Sequence, residues 1–404
     1  MEFITGGVTA AKGFKANGIH CGIRKNKGKA DLALIASEVP CTAAAVYTQN
    51  LVKGAPVTVT QKNLTDGRAQ AVIVNSGNAN TCNADGIEKA ERMCEIAAEL
   101  LHIQPNDVIV GSTGVIGQVL PIEPIENAAK ELYNGLDENG SNLAATAIMT
   151  TDTFAKEAAV SVKIGGKTVH IGGIAKGSGM IHPNMATMLG FSTTDCAISA
   201  EMLNQAIHIV TDNTFNMVSV DGDTSTNDTY AVMANGLAEN PEITEENEDF
   251  SLFVEGLEAV CKKLAMMMAK DGEGATKLLI AQISGAKEEQ TAKTVAKAII
   301  CSSLVKAAMF GEDANWGRVL CAIGYAGADV DVQKIDVAFV SGKGTVSVCQ
   351  KGAGIDFSED QASLVLSADE ITIQVDLHSG ENTAEAYGCD LTYDYVKING
   401  DYRT

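Results

Sequence analysis

The stretch Lys176-Gly-Ser-Gly-Met-Ile-His-Pro-Asn-Met-Ala-Thr-Met-Leu-Gly190 is rich in Gly and Met and holds a single formally charged residue, Lys176. It joins two ordinary α/β halves. At its centre Ala186-Thr187 sets a small residue before a hydroxyl residue, with apolar Met188 and Leu189 beyond. A Thr in mid-chain is a poor nucleophile. It becomes a good one when the bond before it is cut, because its freed α-amine then serves as its base.

Outward from this stretch, the N-terminal half mixes short strands and helices. Ala43–Thr48, Ala55–Thr60 and Ala69–Val74 read as strands, the last running into the turn chemistry of Asn75-Ser-Gly-Asn-Ala-Asn80. Apolar residues at three- and four-residue steps predict a helix over Gly86–Leu101. Asp107–Val110 is a strand that ends in Gly111-Ser-Thr-Gly-Val-Ile-Gly117, which by its local chemistry reads equally as a simple turn after a strand or as a Gly-rich turn that offers a hydroxyl and an N–H to a developing oxyanion. A helix is expected over Pro124–Tyr133. Gly165-Gly166 between two β-like runs, Glu157–Ile164 and Lys167–Ile171, signals a hairpin.

Beyond the stretch, Ser199 is placed to cap a helix through Val210. Val218–Thr229 reads as a polar loop. The longest helix is expected over Glu246–Ala269, with Thr244 as its cap. Leu278–Ile283 is a strand, and Gly285 is a reasonable boundary for a smaller C-terminal unit. That unit holds a helix over Lys287–Ile300 and strands at Ile335–Val340, Gly344–Cys349, Ile371–Leu377 and Ala384–Leu391.

The totals exclude several classes. Thirty Lys and Arg against 51 Asp and Glu give a formal charge of −21, which argues against a nucleic-acid or anionic-membrane footprint. Ten Cys are scattered without any C-x-x-C pair, so they read as buried free thiols of a reducing compartment. The N-terminus lacks the pattern of a signal peptide, and no run approaches the roughly 18 apolar residues of a membrane span. The expected location is the cytoplasm.

Three motifs invite and fail a cofactor reading. Gly172–Gly179 lacks the Gly-Lys-Ser/Thr of a phosphate loop. Asp221–Asp228 lacks the sixth-position Gly of a calcium loop, and Val232 stands where its Glu belongs. It reads better as a polar loop bonding nearby backbone. The six His form no close pairs. On local chemistry alone, Lys176 is a solvated loop cation and Glu273 a helix-end surface charge.

Taken as an ordered set, these stretches resemble the glutamate N-acetyltransferase family of arginine biosynthesis, also called ornithine acetyltransferases. The matching pieces are Gly6–Thr9, Asn75–Asn80, Gly111–Gly117, Met149-Thr-Thr-Asp-Thr153, Ala175–Met180, Met185–Leu189, Ser219–Thr229, Leu304–Lys306, Gly311-Glu-Asp-Ala-Asn-Trp-Gly-Arg318 and Asn399. Ala314 and Ala155 stand where the family commonly has Pro. The resemblance implies a mixed α/β fold, a layered αββα-type sandwich of large mixed sheets, with a catalytic domain over 1–284 and a smaller α/β domain over 285–404.

It also implies autoproteolysis between Ala186 and Thr187. The products are an α chain, 1–186, and a β chain, 187–404, assembling as an α2β2 heterotetramer. The implied chemistry is ping-pong transfer of an acetyl group from N-acetylornithine to glutamate through an ester on Thr187. Thr113 and Gly114 would stabilise the oxyanion. Thr150, Lys176, Thr187, Glu273, Asn399 and Thr404 would bind substrate. No metal or organic cofactor is implied; some members use acetyl-CoA as a co-substrate, which adds a second activity. Self-made Thr or Ser nucleophiles also serve amidohydrolases and aminopeptidases, and the residues alone leave that reading open, as they do a non-catalytic binding protein.

Overall fold

The structure, a computed structural model, describes residues 1–182 and 188–401. Two mixed sheets organise them. The first holds β1 (Glu2–Ile4), β2 (Phe14–Ile19), β3 (Leu32–Tyr47), β4 (Arg68–Asn78), β5 (Val108–Val115), β6 (Lys156–Ile164), β7 (Lys167–Lys176), β8 (Leu189–Thr194) and β10 (Thr229–Ala234). Its order is β1-β6-β7-β8-β10-β3-β4-β5, with β2 also on β3. The second holds β9 (Val218–Ser219), β11 (Leu278–Ala286), β12 (Asp336–Ser341), β13 (Gly344–Gln350), β14 (Ala353–Gly354), β15 (Glu370–Asp376) and β16 (Asn382–Cys389), in the order β14-β13-β12-β15-β11-β16-β9. Residue 285, the expected domain boundary, lies within β11.

The first sheet is bent double, and β3 makes the bend. Its first half pairs with β4, its register breaks between Ala36 and Cys41, and its second half pairs with β10. Pro40 sits in the break, where no ladder N–H is needed. The two halves face each other as β layers: Ile35, Val72, Val74 and Ile109 pack against Ile174, Leu189, Phe191 and Ala231. Outside one layer lie α1 (Ala55–Asn63), α2 (Gly86–Leu101) and α3 (Glu123–Asn134); α4 (Ser141–Ala147) packs at the seam between the layers. Outside the other lie α5 (Ala200–Asn213) and α6 (Glu248–Lys270). This is the αββα sandwich. Helix α6 also meets Leu278, Ile280, Tyr387 and Cys389 of the second sheet, so it belongs to both cores. The far face of the second sheet is covered by α7 (Glu289–Cys301), α8 (Ser303–Phe310), α9 (Trp316–Gly324) and α10 (Glu359–Leu366). The last helix is α11 (Tyr393–Asp401). Among the described residues no helix is long and apolar enough to cross a membrane.

Several elements follow local chemistry closely. Gly165 and Gly166 take φ of 54° and 78°, the pair of positive values a tight hairpin demands. The Ser199 hydroxyl accepts the Met202 N–H and starts α5. The cap of α6 is Asn247, which accepts from Phe250 at 3.0 Å, rather than Thr244. Ala55–Thr60 is a helix, not a strand. Pro56 presets the first turn, and Val57, Val59, Thr60 and Asn63 then face inward. Tertiary pairing overrides the β-branched composition: the Thr60 hydroxyl donates to Val110 O at 2.9 Å and accepts its N–H at 3.0 Å, and Asn63 donates to Val108 O at 2.9 Å. These bonds cover the open edge of β5, which would otherwise present bare backbone. The expected turns at 75–80 and 111–117 begin as strand instead, because β4 and β5 continue their parallel pairing through Asn78 and Val115.

Candidate active site

The ends of β4, β5 and β7, the loop before β10 and the ends of α6 and α11 surround one cavity of 140 Å³. On one wall, the parallel register sets Gly77 beside Gly114. Gly114 has φ of 129°, and a Cβ there would lie 2.4 Å from Gly77 C and 2.6 Å from Asn78 N. Only Gly fits so close a backbone approach. Thr113, the residue before it, lines the cavity beside it.

Opposite stands Lys176, the last residue of β7 and 7% exposed. Burial pushes its ammonium below the ordinary lysine range, against the pull of Asp152. Asp152 is itself buried. Burial opposes its charge, but Lys176 and Lys156 outweigh burial and hold its carboxyl below the usual range. Asp152 accepts the Thr150 N–H at 2.8 Å and the Gly177 N–H at 2.8 Å, so it ties two walls together.

Glu273 follows α6. Its carboxylate accepts from Asn399 Nδ2 at 2.7 Å, which fastens α11 to the cavity rim. A Cβ on Gly179 would lie 2.3 Å from the Glu273 carboxyl carbon, so Gly179 makes the room that this side chain occupies. A cation and an anion thus share one small polar cleft with the hydroxyls of Thr113 and Thr150. Such a cleft suits an amino-acid-sized ligand carrying both charges.

Of the expected site residues, Thr113, Gly114, Thr150, Lys176, Glu273 and Asn399 all line this cavity. Ala186, Thr187 and Thr404 lie outside the described residues. The chain is described again from Met188, whose carbonyl accepts the Thr229 N–H at 2.9 Å. A larger groove of 690 Å³ lies along the second sheet, but no expected site residue lines it.

The structure gives the polar 219–229 loop contacts that sequence reasoning did not foresee. Asn227 donates to Ala79 O at 2.6 Å and Ser112 O at 3.0 Å, and accepts from the Thr81 hydroxyl at 2.6 Å. Asp221 accepts the Met180 and Ile181 N–H groups at 2.6 and 2.9 Å. The polar 219–229 loop therefore bonds nearby backbone as expected, Asp221 accepting the Asp223 N–H and the Thr229 hydroxyl donating to Asn227 O, and also bonds backbone far away in sequence. Asp228, at the foot of β10, is buried, and its Oδ2 has no hydrogen-bond partner among the described residues. Burial pushes this carboxyl well above its ordinary range, and Lys176 works against that.

Comparison with known proteins gives the chain its relatives. The ArgJ family model matches residues 15–404. The arginine biosynthesis bifunctional protein ArgJ of Symbiobacterium thermophilum is 52% identical over 406 residues, covering 100% of both chains. Its counterpart from Caldanaerobacter subterraneus is 51% identical over 405 residues, again covering 100% of both. A crystal structure of the arginine biosynthesis bifunctional protein argJ from Bacillus halodurans is 47% identical, with a TM-score of 0.50, and matches 54% of this chain and 100% of its own. Matched from residue 15 to its last residue, and aligned end to end with its relatives, the chain belongs to the ArgJ family.

Proposed function

We propose that the chain is an acetyltransferase of arginine biosynthesis that moves the acetyl group of N-acetylornithine to glutamate. The observation that carries this reading is the meeting of Thr113, Gly114, Thr150, Lys176, Glu273 and Asn399, from separate segments of the chain, around one cavity. The relatives' description as bifunctional supports a second activity, acetylation of glutamate from acetyl-CoA.

In this mechanism the chain first cuts itself between Ala186 and Thr187. The Thr187 hydroxyl then attacks the acetyl carbonyl while its α-amine takes the proton. A free α-amine has a pKa of about 7.7–8.0, so a useful fraction is basic near neutrality. The Thr113 hydroxyl and the Gly114 N–H receive the developing oxyanion. Lys176 holds the substrate α-carboxylate, Glu273 holds the cationic amine, and Thr150, Asn399 and Thr404 add neutral hydrogen bonds. The Thr187 α-amine gives that proton to the ornithine nitrogen as its bond to the acetyl carbon breaks. The amine of glutamate then attacks the Thr187 ester, breaking the ester bond to release N-acetylglutamate and the free Thr187 hydroxyl.

Two features support the cut. The Bacillus halodurans chain is matched whole by 54% of this chain, the share that residues 187–404 make up. Strands on either side of the cut also pair, β7 with β8 and β3 with β10, so the α and β chains stay together after one peptide bond is lost. The expected assembly is an α2β2 heterotetramer in the cytoplasm. The test supplies N-acetylornithine with and without glutamate. Ornithine release that depends on glutamate is the expected result. Equal release without it would make the chain an amidohydrolase.

A further inference from the structure

Beneath the cavity lies a buried charge network that none of the catalytic steps above uses. Lys156 is fully buried on β6. Its ammonium donates to Asp152 Oδ1 at 2.7 Å, to Asp271 Oδ2 at 2.5 Å and to Phe154 O at 3.4 Å. We infer that Lys156 is the positioning residue of the substrate site, the hub that sets Thr150, Lys176 and Glu273 against one another. The inference rests on reading those three as substrate-holding groups.

Each branch can be followed bond by bond. Through Asp152, Lys156 reaches the Thr150 N–H and the Gly177 N–H, the latter next to Lys176. Through Asp271 it reaches Thr153, whose N–H and hydroxyl both donate to that carboxylate. The carbonyl of Asp271 accepts the Ser178 hydroxyl at 2.7 Å, and Ser178 O accepts the Glu273 N–H at 3.0 Å. Three segments, 150–156, 176–178 and 271–273, are thus tied together through the Lys156 ammonium and its two aspartates.

A buried ion pair is a poor device for stability alone, since apolar residues of similar size commonly do as well or better. The charges suggest what it does instead. Lys156 pairs with both Asp152 and Asp271, and Asp152 acts on Lys176 as well. Because Lys156 occupies Asp152, Lys176 keeps its ammonium for the cavity. Without Lys156, Asp152 takes Lys176 as its sole cationic partner and draws it from the substrate carboxylate. The charged groups acting on Lys176 are Asp152, Lys156, Asp228 and Glu273. Loss of Lys156 removes the one repulsive member of that set.

The test is steady-state kinetics of the full enzyme carrying Lys156→Met, Lys156→Arg or Lys156→Gln. Loss of a charge-assisted link to a binding group should raise KM for N-acetylornithine and glutamate about 10- to 100-fold in Lys156→Met, with kcat changed far less. Lys156→Arg, which keeps the charge, should recover most of the loss. The alkaline limb of kcat/KM should move to higher pH in Lys156→Met, because Lys176 then holds its proton more tightly. A merely structural lysine would lower the melting temperature and the active fraction while leaving KM and the alkaline limb in place, and that result overturns the inference. If Lys156→Met does not fold, Lys156→Gln, which keeps a hydrogen-bonding end and removes the charge, decides: a KM rise of the same order supports the hub, and an unchanged KM refutes it. Failure of both to fold assigns the network to stability and also refutes it. Absence of acetyl transfer in the wild-type enzyme would instead remove the functional reading, and the role of Lys156 with it.

Discussion

Replacing Gly114 by Ala tests the oxyanion wall directly. The added methyl would stand 2.4 Å from Gly77 C, 2.6 Å from Asn78 N and 2.7 Å from Gly77 Cα. All three are backbone atoms of β4, so no side chain can swing away. The strand end carrying residues 113 and 114 must move instead, at a φ of 129° that L side chains rarely adopt. Backbone strain of this kind costs about 1–3 kcal/mol. Moving the residue-114 N–H off the oxyanion removes a donor commonly worth about 100- to 1,000-fold in kcat, or about 2.7–4 kcal/mol. The assay is ornithine release at saturating N-acetylornithine and glutamate, with a melting curve on the same sample. Gly114→Ala should lose both rate and stability. Thr113→Val, which keeps the shape and removes only the hydroxyl, should lose a similar factor in rate with its melting temperature unchanged. If kcat in both stays within about threefold of wild type, no transition-state interaction has been lost, and the oxyanion assignment is wrong.

Other expectations follow from the same site. Intact mass should show two fragments for the wild-type protein and one full-length chain for Thr187→Ala; two fragments from both would remove Thr187 as the agent of the cut. The Asp228 carboxyl is raised by burial, so it costs no stability below its unfolded value near 3.8 and costs more as pH climbs above it. Asp228→Asn should therefore gain in melting temperature relative to wild type between pH 4 and pH 7, and parallel melting curves across that range would contradict it. A bulky extension after Thr404 should raise KM and leave the melting temperature alone, because α11 reaches the cavity through Asn399 at its exposed end. Normal kinetics in such a variant would count against Thr404 as a ligand.

Periodic, locally capped elements were the readable part of this fold. Helix α2 shows its apolar stripe plainly, and Gly165-Gly166 announces its own turn. What local pattern misses is set by partners. Val57-Thr-Val-Thr60 has strand composition, yet it is helical because Thr60 and Asn63 find the edge of β5. The 16-residue span of β3 is hidden because its two halves answer to different neighbours. The site divides in the same way. Lys176 and Glu273 look like solvated surface charges by themselves, and only the ordered family motifs marked them. The network under them was marked only through Asp152, which lies in the Met149–Thr153 motif four residues before Lys156. Lys156 and Asp271 are 115 residues apart, and an ion pair of that separation leaves no trace in spacing.

Helix α6 has a consequence for how the protein is born. Its one flank rests on β6 and β7, and its other meets Leu278, Ile280, Tyr387 and Cys389, with Lys262 paired to Glu385 at 2.6 Å. As the chain leaves the ribosome, α6 emerges with its first partners already made and its second set still to come. The apolar residues meant for β11 and β16 stay wet until those strands have been made. Asn399, the clasp on Glu273, arrives later still. The candidate pocket is therefore completed only once residue 399 has been made, and a nascent chain interrupted before that point carries an open seam beside Glu273.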